Sequence, residues 1–289
     1  MTEHVQVAIS ADGTEIVGRV RGQGQPLVLV HGGWGDGEVA YEGLVPHLAD
    51  RFTCYTPSTR GRGLSGDNPD HAVHHLVEDV MALIDTIGEP VCLVGWSGIE
   101  PPLGAAAQSS AVAAVALFEG YVPPVAEPGE LVTLRAVIER TGAAAADGRL
   151  ADAARAFAPY VISDAELAAL DGDFDERWGP SIPAMLRYFQ QNMSHEGPRA
   201  YDADQLARIS APLLALWGTD TTHPALVSKS AQHLARHAAD GHIRELAGVG
   251  HFAPLVAPEI VAKELAHFFE SIPGGRGVQH GSVTLRPGG

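Results

Sequence analysis

The strongest constraint on how this chain can fold is a set of short apolar runs that alternate with helical patterns. Pro26–Val30 (PLVLV), Phe52–Thr56, Val91–Val94 and Ala113–Phe118 are runs of this kind. They read as strands buried on both faces. The clearest helix between them places Val73, Leu76, Val77, Val80, Met81, Ile84 and Ile87 on one face and stops at Gly88. Strand and helix in alternation predict an α/β fold with a mostly parallel central sheet and helices on both faces. Ahead of this lie Val5–Ile9 and Glu15–Val20, separated by Asp12-Gly13, which predicts a hairpin.

The alternation breaks between Tyr121 and Leu206, where Ala-rich helical stretches dominate. Buried strands are predicted to resume at Pro212–Trp217 and His242–Leu246, with helices at Pro224–Ala239 and Pro258–Ser271. Residues 1–120 and 207–272 therefore form a core, and 121–206 a helical cap inserted into it. The Gly-rich segment 273–289 has no apolar pattern and reads as a flexible tail or a non-native remnant. With 289 residues, 45% apolar and 19% charged, the chain can bury a sizeable core and is neither disordered nor fibrous.

Thirty-five acidic against nineteen basic residues give a net charge of −16. That charge opposes binding to nucleic acid or to an anionic membrane surface. No apolar run approaches the roughly 18 residues of a membrane span. Cys54 and Cys92 both lie in apolar runs and read as buried thiols, which fits a reducing compartment. The start, Met1-Thr2-Glu3-His4, lacks the basic and apolar regions of a secretion signal. A cytoplasmic location is the expectation.

The feature richest in chemistry is Gly95-Trp96-Ser97-Gly98, directly after the run Val91–Val94. A serine between small residues at a strand-to-helix turn has its hydroxyl exposed, and the next backbone N–H faces a developing oxyanion. A plain Ser-Gly turn would look the same. His31-Gly32-Gly33-Trp34-Gly35 follows Pro26–Val30 and can offer a second N–H. It lacks the Lys-Ser/Thr pair of a phosphate loop. Asp220 and His251 each follow a predicted strand end, where open α/β sheets bind ligands. A serine nucleophile needs a base, and the base an orienting acid.

Taken together, these residues resemble the α/β-hydrolase family. The resemblance covers nearly all of residues 1–271, including the HGG loop, Arg60–Gly66, the turn at Ser97, the helical cap and Gly250-His251-Phe252. It implies Ser97 as nucleophile, Asp220 as acid, His251 as base, and the N–H groups of Gly33 and Gly98 as oxyanion hole. Neither a cofactor nor a metal is implied; the expected partner is a small-molecule substrate, and oligomeric state is left open. Trp34, Trp96, Trp178, Met185, Tyr188 and Phe189 are candidates to contact substrate, the last four sitting in the cap.

Four departures stand out, one of them Ser58, which sits where the family often has Asp. Ile99 replaces a small residue, and Glu100-Pro101-Pro102 follows. Prolines inside a helix remove donors and clash, so the sequence predicts a helix start near Pro101 and a widened turn at Gly98–Glu100. That would displace the Gly98 donor and free Glu100, either as an extra acid near the pocket or as a solvated surface residue. Asp220 comes two residues after Gly218, where three is commoner in the family.

Two decoys remain. Gly61–Gly66 fits a dinucleotide fingerprint, but the turn Asp67-Asn68-Pro69-Asp70 follows in place of a helix. His71, His74 and His75 are expected on an exposed helix surface and not around a metal. The sequence thus favours a cofactor-free serine hydrolase of a small ester, lactone or thioester. A cyclase, lyase or C–C bond enzyme, or a ligand-binding protein on the same fold, are its alternatives.

Overall fold

The computed structural model describes residues 3–272 apart from Asp171 and Ser194; the predicted tail lies outside the described residues. Eight strands form one sheet: β1 (Glu3–Ile9), β2 (Glu15–Gly22), β3 (Gln25–Val30), β4 (Phe52–Pro57), β5 (Val91–Trp96), β6 (Val112–Phe118), β7 (Leu213–Gly218) and β8 (Gly241–Leu246). Their order is β1-β2-β4-β3-β5-β6-β7-β8. The hairpin β1–β2 and the pair β2–β4 are antiparallel, and every other pair is parallel.

The uninterrupted apolar runs work because successive side chains of a strand point to opposite faces. Leu27, Leu29, Cys92 and Val94 enter one apolar layer, whereas Val28, Val30, Leu93 and Val115 enter the other. Cys54 and Cys92 are buried free thiols, and burial pushes each thiol up to about 12. One strand differs from expectation. β8 is the sheet edge, so Gly241–Glu245 is exposed and only Leu246 is buried. Its Arg244 pairs with Glu264 at 3.2 Å, a charged edge of the kind that discourages further pairing.

Helix α1 (Val73–Ile87) ends on Gly88 at φ 73°. His71, just before it, is buried and not exposed as its neighbours suggested. Its Nε2 meets Asp67 at 3.1 Å and its N–H donates to Gln191 at 2.6 Å. Next comes α2 (Glu100–Gln108). Between β6 and β7 the chain is helical: α3 (Pro128–Ala146), α4 (Leu150–Val161), α5 (Asp164–Ala169), α6 (Phe174–Trp178), α7 (Ile182–Asn192) and α8 (Ala203–Leu206). Then follow α9 (Pro224–His237), α10 (Ala253–Val256) and α11 (Pro258–Ser271). Among the described residues no helix is long and apolar enough to cross a membrane.

The turn before α2 corrects the expectation of a widened bend. Ser97 takes φ 64°, and the Gly98 N–H reaches the Trp96 carbonyl at 2.6 Å, closing a three-residue turn. Ile99 caps a helix that begins at Glu100, so both prolines fall in its first turn, where no intrahelical N–H is required. Ile99 fits because Gly120, just past β6, has no side chain. A Cβ there would lie 2.5 Å from Ile99 Cγ2. Overpacking of this kind costs about 1–3 kcal/mol. Gly120→Ala should therefore lower the melting temperature, and Ile99→Ala should recover much of that loss in the double variant. Simple additivity of the two changes in thermal unfolding would contradict this account.

Candidate active site

β4 and β5 lie on opposite sides of β3, so the crevice at the ends of β3 and β5 is the topological switch point where such sheets bind ligands. The HGG loop and Ser97 both emerge there. They come very close together, since a Cβ on Gly32 would lie 2.6 Å from the Trp96 carbonyl and 2.8 Å from Ser97 Cβ. Only glycine permits this approach. Ser97 and Glu119 are the only non-glycine residues with positive φ among the described residues, at 64° and 49°. Such backbone costs on the order of 1–3 kcal/mol each and persists where the surroundings enforce it.

Glu119 is the residue that sequence reasoning missed. It follows β6 directly, and its side chain is fully buried. Its Oε2 lies 2.8 Å from His251 Nδ1 and accepts from the Thr221 hydroxyl at 2.9 Å, while Oε1 accepts from the Gly218 N–H at 2.9 Å. A carboxylate receiving these donors places the imidazole hydrogen on Nδ1 and leaves Nε2 free to accept a proton. The His251 carbonyl is fixed in turn by Trp96 Nε1 at 2.8 Å.

Asp220 does not hold His251. It is exposed, and its Oδ1 accepts from the Thr219 hydroxyl at 2.8 Å. The reason is register. The position three after Gly218 is Thr221, which turns inward to Glu119, so Asp220 at position two turns to solvent. The short spacing after Gly218 was one available signal. The acid directly after the run Ala113–Phe118, at a strand end beside β5, was the other.

Ser97, Glu119 and His251 line one cavity of about 580 Å³, roofed by the helical segment. The Gly33 N–H also borders it and has no hydrogen-bond partner among the described residues. The Gly98 N–H is held by the strained turn to Trp96. Trp34, Trp96, Trp178, Tyr188 and Phe189 all reach the cavity wall. Met185 does not; it is fully buried in the core beneath α7. Trp34 and Trp178 are also largely buried against each other, with ring centroids 5.1 Å apart and Trp34 Nε1 donating to the Trp178 carbonyl at 3.2 Å. Phe189 is half-buried and stands over Gly33.

Glu100 is neither freed from the helix nor solvated. It is buried on the cavity wall as an ion pair with Arg199, whose Nε lies 2.9 Å from Oε2 and whose Nη2 contacts Oε1. The helical segment also grips the loop that carries His251. Glu166 of α5 accepts from the Phe252 N–H at 2.7 Å, one residue after His251, and from the Ser163 N–H and hydroxyl.

A profile of the alpha/beta hydrolase family matches residues 27–264, and the chain belongs to that family. It is similar to the pimeloyl-(acyl-carrier protein) methyl ester esterase of Vibrio cholerae, with 28% identity over 234 residues, covering 75% of this chain and 84% of the esterase. It is also similar to the cis-3-alkyl-4-alkyloxetan-2-one decarboxylase of Shewanella oneidensis, with 33% identity over 102 residues. That match spans 32% of this chain and only 31% of the decarboxylase. Among solved structures, a thermophilic esterase from Thermogutta terrifontis superposes with a TM-score of 0.75 at 21% identity, covering 93% of this chain and 99% of that one.

Glu119→Gln should slow the labelling of Ser97 by a serine-directed fluorophosphonate by roughly four powers of ten, the loss seen when a serine protease's acid becomes an amide. Asp220→Asn should label within about threefold of the unmodified protein, as expected of an exposed carboxylate away from the base. The reverse ranking would return the acid to Asp220.

Proposed function

We propose that this chain is a cofactor-free serine hydrolase cleaving a small ester, lactone or thioester through an acyl-enzyme on Ser97. The observation that carries the reading is the buried Glu119–His251 hydrogen bond, opening on the same cavity as the strained Ser97 turn. The similarity to a methyl ester esterase along most of both chains supports the ester bond as target.

In this reading His251 Nε2 takes the Ser97 proton as Oγ attacks the acyl carbon, and Glu119 stabilises the imidazolium that forms. The carbonyl oxygen becomes an oxyanion facing the Gly33 N–H. The Gly98 N–H assists, because the bond it leaves belongs to a strained three-residue turn. The proton passes from His251 to the departing alcohol or thiol. Water, deprotonated by His251, then releases the acid and restores Ser97.

The walls favour an apolar acyl or alcohol group packed among aromatic rings. The wall also carries charge: Glu100 is paired with Arg199, and Arg135 and Asp202 lie among the other lining residues. The alternative, a cyclase or lyase, rested on a Gly98 donor displaced from the oxyanion, and the Gly98 N–H bonds the Trp96 carbonyl here.

The test is hydrolysis of p-nitrophenyl esters together with fluorophosphonate labelling followed by intact mass. Both should be present in the unmodified protein and abolished in Ser97→Ala; a protein that does neither contradicts the reading. Phe189→Ala should shift the preferred ester chain length with little change in melting temperature. Trp178→Ala should instead destabilise by about 3–5 kcal/mol, as truncating a buried aromatic residue does. If Phe189→Ala leaves chain-length preference unchanged, Phe189 has no part in selecting substrate.

A further inference from the structure

Two buried arginines occupy one segment and are treated differently. Arg60 is neutralised by Asp79 and Asp12, with contacts of 2.6 and 2.7 Å. Arg62 is 6% exposed and, among the described residues, has no carboxylate within ion-pair distance. Its Nε has no partner. Burial lowers its pKa to about 10, a shift that the field of Asp36 partly offsets. A buried cation left without a counter-ion is costly, so its position calls for a reason.

Arg62 Nη1 donates to the Gly32 carbonyl at 3.1 Å and to the Gly35 carbonyl at 3.3 Å. His31 Nδ1 lies 2.9 Å from the same Gly32 oxygen. His31 Nε2 accepts the Thr59 backbone N–H at 3.0 Å, so it carries no hydrogen and Nδ1 must be the donor. Burial, with Arg62 beside it, holds the His31 pKa down to about 3, keeping the ring neutral. The Gly32 carbonyl thus receives two donors, one of them charged. That carbonyl and the Gly33 N–H belong to one conjugated peptide unit.

We propose that Arg62 is a positioning residue that polarises the Gly32–Gly33 peptide, making the Gly33 N–H a stronger donor to the oxyanion. The proposal rests on the reading of Ser97 as nucleophile and of the Gly33 N–H as oxyanion donor. Hydrogen bonds at the carbonyl oxygen draw density from the peptide nitrogen, and linked hydrogen bonds strengthen one another in a low-dielectric interior. The Arg62 charge adds a field of the right sign, screened little by salt because it is buried. The oxyanion exists only after attack begins, so the effect falls on kcat and not on KM.

The test compares Arg62→Gln, which keeps a neutral donor, with Arg62→Lys, which keeps the charge. Each is measured for kcat and KM on a p-nitrophenyl ester and for inhibition by a trifluoromethyl ketone of matching shape, whose adduct with Ser97 bears an alkoxide. Removing an oxyanion donor outright costs about 100- to 1000-fold, so weakening one should cost roughly tenfold or more. Arg62→Gln should lose that factor in kcat and in ketone affinity, with KM within about threefold; Arg62→Lys should retain most of both. If Arg62→Gln fails to fold, Arg62→Met, an apolar replacement of similar length, carries the same readout. Native kcat and ketone affinity in the neutral variant would overturn the proposal. So would equal losses in the Lys and neutral variants, or a rise in KM that matches the fall in kcat, since those mark loop packing. An unmodified protein that neither hydrolyses esters nor labels at Ser97 would instead strike the reading beneath it.

Discussion

The hydrogen bond between Glu119 and His251 is the contact on which the rest of the site depends. A buried carboxylate must be matched by donors, and here they come from two further strand ends. His251 brings the loop after β8, Gly218 and Thr221 bring the end of β7, and Glu119 itself ends β6. Trp96 ties the His251 carbonyl to β5, which carries Ser97. Satisfying one charge thereby registers three strand ends, and the Trp96 bond adds a fourth. The positive φ at Glu119 is the local strain that this arrangement tolerates.

The helical segment above the sheet takes part in that registration. Glu166 holds the backbone next to His251, and Trp34, Trp178 and Phe252 pack edge to face or tilted across the boundary. A substitution that loosens this segment therefore reaches His251 through the Phe252 N–H as well as through the cavity wall. The cavity combines aromatic walls with a closed Glu100–Arg199 ion pair and further charged residues, Arg135 and Asp202.

Much of this was legible in the sequence, because burial on two faces leaves a plain mark. The strands Pro26–Val30 and Val91–Val94, the helix from Val73 to Ile87, the HGG loop and the Ser97 turn could all be read from apolar periodicity and glycine placement. The partner of His251 left only weak signals, because pairing between strand ends depends on which way each loop residue turns. Asp220 and Thr221 are adjacent, and one step of register sends the first to solvent and the second to Glu119. Pro101-Pro102 misled for a related reason. The cost of proline falls on helix interiors, and Gly120 provides the room that lets the helix begin beside Ile99. Met185 shows the same limit, since helical spacing does not say which side of a helix faces a cavity and which a core, and His71 lies before its helix, where a helical pattern says nothing of burial.

The most direct measurement is a crystal structure of the protein after reaction with a fluorophosphonate. The account predicts phosphorus on Ser97 Oγ, a phosphoryl oxygen about 2.7–3.1 Å from the Gly33 N–H, and His251 Nδ1 still on Glu119. A His251 ring turned to Asp220, or phosphorus on another side chain, would contradict it.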